Sequence, residues 1–282
     1  MTSPAPPHTP SRPVCLPAFL ILLALSPPCI ADPAWKSEIK PQSHGTFPAL
    51  PPTSLHYRVS WKGMLDAGSV RIDFAPKKHQ KPGSYVVSSS SRSLGPASSL
   101  FPYESSFWSE IHPVNLTAQR FHATEKDKRE TTESKTIFSP SKTEYSATTR
   151  DLRKGTVTTQ SKSFAHSPVH DLFSAMLFVR SQKLDKGDRI ALVAKPFGTP
   201  YLVRIRVADH LIHNNQPAIH LRVSMHKINR NTLELQPYKK LKREASLWLS
   251  NDKLRVPLEL RAAVFIGDVR ATLSPVAGAS GS

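Results

Sequence analysis

The sequence predicts a mainly β fold: a curved antiparallel sheet that forms an open barrel or a sandwich, with one short buried helix near residues 168–182. Three observations lead there. Apolar and polar residues alternate with period two through most of the chain. Turn residues divide that pattern into short runs at intervals of roughly 8 to 15 residues, the spacing of an all-β domain. A single stretch breaks the alternation with a continuous apolar run bracketed by helix-capping residues.

The first 31 residues stand apart. Their only charge is Arg12, which is followed by the apolar run 14–25 and by Ser26-Pro27-Pro28-Cys29-Ile30-Ala31. This is the pattern of a secretory signal peptide cleaved near Ala31. The apolar run is interrupted by Pro17 and falls short of the about 20 residues that a bilayer-spanning helix needs. A lipid anchor on Cys29 is the competing pattern, but Pro28 occupies the position where a lipoprotein signal carries a small residue. The expectation is a soluble exported protein, periplasmic or extracellular. Cleavage removes both cysteines, Cys15 and Cys29, which excludes a disulfide scaffold and a cysteine nucleophile.

Residues 32–54 hold Pro33, Pro41, Pro48, Pro51 and Pro52 with few large apolar side chains. They read as a proline-rich linker. Residues 275–282 read as a flexible tail, which leaves 55–274 as a single β-rich domain. Its first hairpin places Leu55, Tyr57, Val59 and Trp61 on one face, turns around Asp66-Ala67-Gly68, and returns through Val70, Ile72 and Phe74. Gly63 and Gly68 suit tight or bulged backbone beside it. Similar runs continue to residue 273 and imply twelve or more strands.

The exception is 167–180, where Ser167 can cap, Pro168 suits the first helical position, Asp171 favours the positive helix end and Arg180 the negative one. On a helical wheel His170, Asp171, Ser174 and Ser181 form a narrow polar stripe in an otherwise apolar surface. Such a helix is expected to be buried, plugging or flanking the sheet. Asp171 and Arg180 lie on opposite sides of it and need partners elsewhere.

The formal net charge is +17, and the removable segment contributes only one arginine and no acid. In an envelope compartment this points to anionic polymers or a membrane surface as partners, with solubility as the plainer explanation. No specific nucleic-acid motif is present.

His170, Asp171 and Ser174 are the residue types of a hydrolytic triad, yet neighbours 170 and 171 point about 100° apart on a helix and cannot both serve Ser174. There is no Gly-x-Ser-x-Gly elbow. His210, His213, His220 and His226 could meet across a hairpin turned at Asn214-Asn215-Gln216-Pro217, but no acidic or cysteine ligand joins them at a recognisable spacing. No metal, cofactor or catalytic residue is assigned, and a hydrolase is the third-ranked reading.

Three blocks, taken in order, carry a resemblance: Leu55-His56-Tyr57-Arg58-Val59-Ser60-Trp61-Lys62-Gly63 with Ala67-Gly68; Val169-His170-Asp171-Leu172-Phe173-Ser174-Ala175 through Arg180; and Leu247-Trp248-Leu249-Ser250-Asn251-Asp252 with Arg255-Val256-Pro257-Leu258. Together they resemble the exported bacterial domain-of-unknown-function family 3108 over nearly all of 55–274. The resemblance implies an envelope-exported antiparallel β protein with a helix after the middle strands, and His170, Asp171, Ser174 and Arg180 as its motif polar residues. It implies no catalytic residue or cofactor.

The leading functional expectation is a non-catalytic envelope protein that binds an apolar or amphiphilic, lipid-like ligand in a sheet cavity, with Trp61, Phe173, Phe178 and Trp248 lining the interior. The alternative is a structural or interaction module that uses a basic surface on anionic envelope polymers.

Overall fold

Period-two alternation becomes fifteen strands in a computed structural model that describes residues 32–39, 45–76, 83–264 and 267–275. The expected signal peptide, and all but residue 275 of the expected tail, lie outside the described residues. The first meander comprises β1 (Thr53–Trp61), β2 (Leu65–Phe74), β3 (Tyr85–Ser93), β4 (Tyr103–Ile111), β5 (Ala118–Asp127), β6 (Glu130–Phe138), β7 (Thr143–Asp151) and β8 (Val157–Phe164). The second comprises β9 (Arg189–Phe197), β10 (Thr199–His213), β11 (Gln216–Ile228), the short β12 (Leu235–Pro237), β13 (Ala245–Ser250) and β14 (Pro257–Val264). β15 (Gly267–Leu273) pairs with both β1 and β14, so all strands form one antiparallel sheet running from β8 at one edge to β9 at the other.

The sheet curls without closing. Phe197 on β9 reaches across to Phe107 on β4 and Phe121 on β5, with ring centroids 5.4 and 6.1 Å apart. The chain entering the second meander adds one parallel bridge, His170 to Ala194. An open barrel is therefore the form the expected curved sheet takes.

The first hairpin turns earlier than expected. Lys62 and Gly63 take the positive φ values of 51° and 75°, and Met64 N–H donates to Trp61 O. Asp66-Ala67-Gly68 lies within β2 instead, as a bulge opposite Val59 and Ser60. Gly68 has a packing reason as well: a Cβ there would stand 2.6 Å from the Arg92 carbonyl oxygen.

The helix is α2 (Leu172–Ser181), shorter at its start than predicted. His170 N–H donates to Val193 O and His170 O accepts from Lys195 N–H. With that backbone committed to β9, the helix cannot begin at Pro168, and Asp171 becomes its N-cap in place of Ser167. The other helix, α1 (Gly95–Leu100), has Pro96 in its first turn.

Helix α2 fills the barrel. Phe173 and Leu177 join Leu55, Tyr57, Phe74, Val87, Ile111 and Phe121 of the first meander. Phe178 and Val179 join Leu192, Ile205, Val207, Ile219, Leu221 and Leu249 of the second. Burial of such side chains contributes about 1.5–3 kcal/mol each.

Part of the expected linker is also built in. Residues Ala34–Glu38 form a 3-10 helix, and Trp35 is buried among Phe164, Val169, Val193, Leu202 and Ile228. Its indole N–H donates to Leu233 O, while Glu38 pairs with Arg204 on β10. Leu50 is buried with the first meander. Composition suggested a loose arm, but Trp35, Leu50 and the Glu38–Arg204 pair hold the described parts of this segment to the sheet.

Candidate functional site

The motif polar residues converge on the two ends of α2. At its N-terminus one carboxylate oxygen of Asp171 accepts from the amides of Phe173 and Ser174, both at 2.8 Å, and Ser174 Oγ accepts from the Asp171 amide. This reciprocal capping box satisfies the otherwise orphaned first-turn donors. The second oxygen accepts from Ser109 Oγ on β4. Burial raises the Asp171 carboxyl above its usual range, and the hydrogen bonds from Ser109 and Ser174 only partly oppose it. His170 is buried with its ring 5.2 Å from Phe178, and burial pushes its imidazole down to about 4. Asp171 and Ser174 are thus engaged in capping, and His170 packs against the core.

At the other end, the Arg180 guanidinium is buried and donates to the carbonyls of Pro48 and Leu254. Arg255, from the turn after β13, donates to the carbonyls of Arg180, Gln182 and Lys183 and lies 3.5 Å over the Phe47 ring. Asp252 shapes that turn by accepting from the amides of Leu254 and Arg255. Tyr57 in β1 donates to Pro257 O. The three sequence blocks therefore meet in space, and what they build is a clamp on α2. Ser109 was not singled out from sequence, since it belongs to no recognisable chemical motif and its partner lies 62 residues away; Arg255 stood in the third block, but its acceptors lie 72 to 75 residues away and gave it no role there.

The four expected ligand-lining residues do not share one cavity. Phe173 and Phe178 face opposite halves of the packed core. Trp61 is half-buried at the rim, its ring 6.2 Å from Phe101. Leu65, Leu100, Phe101 and Leu260 are exposed around this end of the sheet. Trp248 is buried, but on the face opposite Leu247 and Leu249, in a small cluster with Ala218 and Leu258.

There Trp248 stacks on His213 at 4.4 Å and on His220 at 4.6 Å, with the Arg261 guanidinium 4.8 Å from its ring. Buried Glu259 bonds to Arg261 and lies 2.8 Å from His213 Nε2. Burial alone would raise its carboxyl, but the Arg261 and His213 hydrogen bonds outweigh that and hold it below the usual range. Of the other histidines, His210 contacts Leu184 O and His226 contacts Arg204. Among the described residues no group of three or more His, Cys, Asp or Glu side chains is arranged to hold a metal ion.

The outer face also carries an open groove of about 740 Å³ across β1 to β4, lined by His56, Arg58, Arg71, Arg92, Glu104 and a series of serines. One buried lysine also escaped the sequence reading. Lys195 is fully buried near Tyr145, 5.7 Å from the ring centroid, and burial pushes its ammonium down to about 8.

No curated protein matches the chain. Among solved structures it is similar to a beta-barrel-like protein of domain of unknown function DUF1849 from Brucella abortus, with a TM-score of 0.49 and 8% identity over 82% of this chain and 97% of that one. The family model described as protein of unknown function (DUF3108) matches residues 56–274. That span holds α2 and nearly the whole sheet, and the chain belongs to this family.

Proposed function

We propose that the protein is an exported, non-catalytic binding protein of the cell envelope that works through its basic outer face on anionic polymers. The observation that carries this reading is the contrast between the two faces of the sheet. Inside, α2 and the aromatic contacts of Phe107, Phe121, Phe173 and Phe197 occupy the barrel. Outside, a groove of about 740 Å³ is lined by three arginines, a histidine and several serines beside Asp66 and Glu104; Arg58 pairs with Asp66 and Arg71 with Asp73, and Arg92 with the serine hydroxyls supplies groups that bind anions through charge and hydrogen bonds. The commitment of Asp171, Ser174 and Arg180 to holding α2 supports a non-catalytic role. Export rests on the N-terminal sequence pattern.

Protein purified from the periplasm is expected to bind polyglutamate or polyphosphate with an affinity that collapses as salt is added. Absence of binding at low salt would overturn the reading.

A second reading, an amphiphile held at the inner rim, is favoured by one observation: Trp61, Leu65, Leu100, Phe101 and Leu260 leave apolar surface accessible at that end. Native mass spectrometry of the same material discriminates, since a retained lipid that disappears in Trp61→Ser would support it.

A further inference from the structure

Strand register places five arginines in one cross-strand row on the outer face. Arg206 on β10 stands opposite Arg189 on β9 and opposite Arg222 on β11. Arg222 is opposite Ser246 on β13, Ser246 opposite Arg261 on β14, and Arg261 opposite Arg270 on β15. The neighbours Ile190, Ile205, Val207, Leu221 and Leu247 pack inward, so alternation turns the row outward. At the usual interstrand spacing these six strands span about 24 Å.

Like charges directly opposite one another destabilise a sheet. Here three such pairs occur: Arg189 with Arg206, Arg206 with Arg222, and Arg261 with Arg270. Among the described residues only Arg261 of the five lies within ion-pair distance of a carboxylate, that of Glu259. Arg222 donates to the Ser246 hydroxyl, which occupies the gap in the row.

We infer that this row is the binding track for a single extended polyanion whose backbone carries phosphate groups, laid across the strands from β9 to β15. The inference rests on the outer-face reading above, but it places the ligand on the second meander and β15, away from the groove across β1 to β4. Guanidinium forks match phosphate oxygens in bidentate fashion, and consecutive phosphates relieve the opposed charges of consecutive arginines. A line fits the observations better than a plane. Asp209 and Glu259 lie in the adjacent outward row, opposite His220 and Trp248. Glu38 sits on the other side against Arg204. Asp209 pairs with Lys186 and Glu38 with Arg204, so the flanks are neutralised and the positive charge is concentrated in a strip, whereas an anionic membrane rewards charge spread over a face.

The test measures affinity for inorganic polyphosphate against salt concentration in the full protein. The triple variant Arg206→Gln/Arg222→Gln/Arg270→Gln is compared with Lys126→Gln/Lys128→Gln/Arg129→Gln, which removes the same charge from the β5–β6 hairpin. The row variant is expected to weaken binding more than about tenfold and to reduce the slope of log affinity against log salt by about 2, as three lost phosphate contacts require. The hairpin variant should stay within about twofold of the wild type. The row variant should also melt no lower than the wild type, because it removes opposed like charges. Equal losses in the two variants, or a row variant that loses only binding to phosphatidylglycerol vesicles, would overturn the track and leave the general outer-face reading standing. A wild-type protein that binds no polyanion would remove both.

Discussion

Ser109 Oγ donates a 2.5 Å hydrogen bond to Asp171 Oδ2, and through it β4 holds the first turn of α2. Both groups are fully buried, so breaking the contact leaves polar atoms that water cannot reach. Asp171→Ala removes the cap and strands the Ser109 hydroxyl and two amides. The expected destabilisation is about 2–4 kcal/mol, read from urea unfolding. Ser109→Ala should cost about 1–2 kcal/mol, and the double variant less than the sum. Strict additivity would show that the two residues act independently.

The C-terminal clamp is tested with Arg255. Arg255→Met leaves the carbonyls of Arg180, Gln182 and Lys183 without their donor, with an expected loss of about 3 kcal/mol. Arg255→Lys should recover only part of this, because a single ammonium cannot reproduce the planar fork. Hydrogen exchange should accelerate in α2 before it does in β5 to β7.

His170 sets an acid-side slope. Its buried imidazole has been pushed down to about 4 from about 6.5, so below pH 6.5 the unfolded chain binds a proton that the folded chain refuses. The contribution to stability is complete above about pH 6.5 and is lost as pH falls toward 4, amounting to about 3 kcal/mol. Urea midpoints should fall across that window and His170→Gln should flatten the fall. Asp171, with its carboxyl raised by burial, acts in the opposite sense, so the slope is best measured in an Asp171→Asn background.

Lys195 works at alkaline pH. Its ammonium is buried, with Nζ lacking a hydrogen-bond partner, and burial together with the charges of Arg230 and Lys162 pushes it down to about 8. Since the unfolded side chain keeps its proton to about 10.4, stability should rise between pH 8 and 10. Lys195→Met is expected to be more stable than the wild type at pH 7 by about 1–2 kcal/mol. The advantage should shrink by pH 10. A less stable variant at pH 7 would mean that the ammonium has a favourable role.

What was legible in the sequence was local. Alternation revealed the strands, and the apolar run before Arg180 revealed a buried helix, because both follow from the periodicity of adjacent residues. The start of α2 was misread because the backbone of His170 is taken by Val193 and Lys195, a pairing no local rule contains. Trp248 was placed inside because aromatic side chains usually are; its place on the opposite face follows from Leu247 and Leu249 claiming the core. Trp35 was hidden among prolines, since its partners lie on other strands. The arginine row was invisible for the same reason, as its members run from residue 189 to residue 270 and align only through register.

The place of β15 bears on when this fold can be completed during synthesis. β1 to β8 and β9 to β14 are each stitched largely by neighbours in sequence, and among the described residues β15 is the strand whose ladder joins one group to the other. It follows every other strand along the chain. A growing polypeptide can form both meanders and seat α2 between them, yet the barrel wall stays split beside β1 until residues 267–273 arrive. The edge of β1 is therefore open to any passing strand for most of translation, and that of β14 joins it once residue 264 has been made. Whatever escorts the nascent chain must shield those edges until β15 is made.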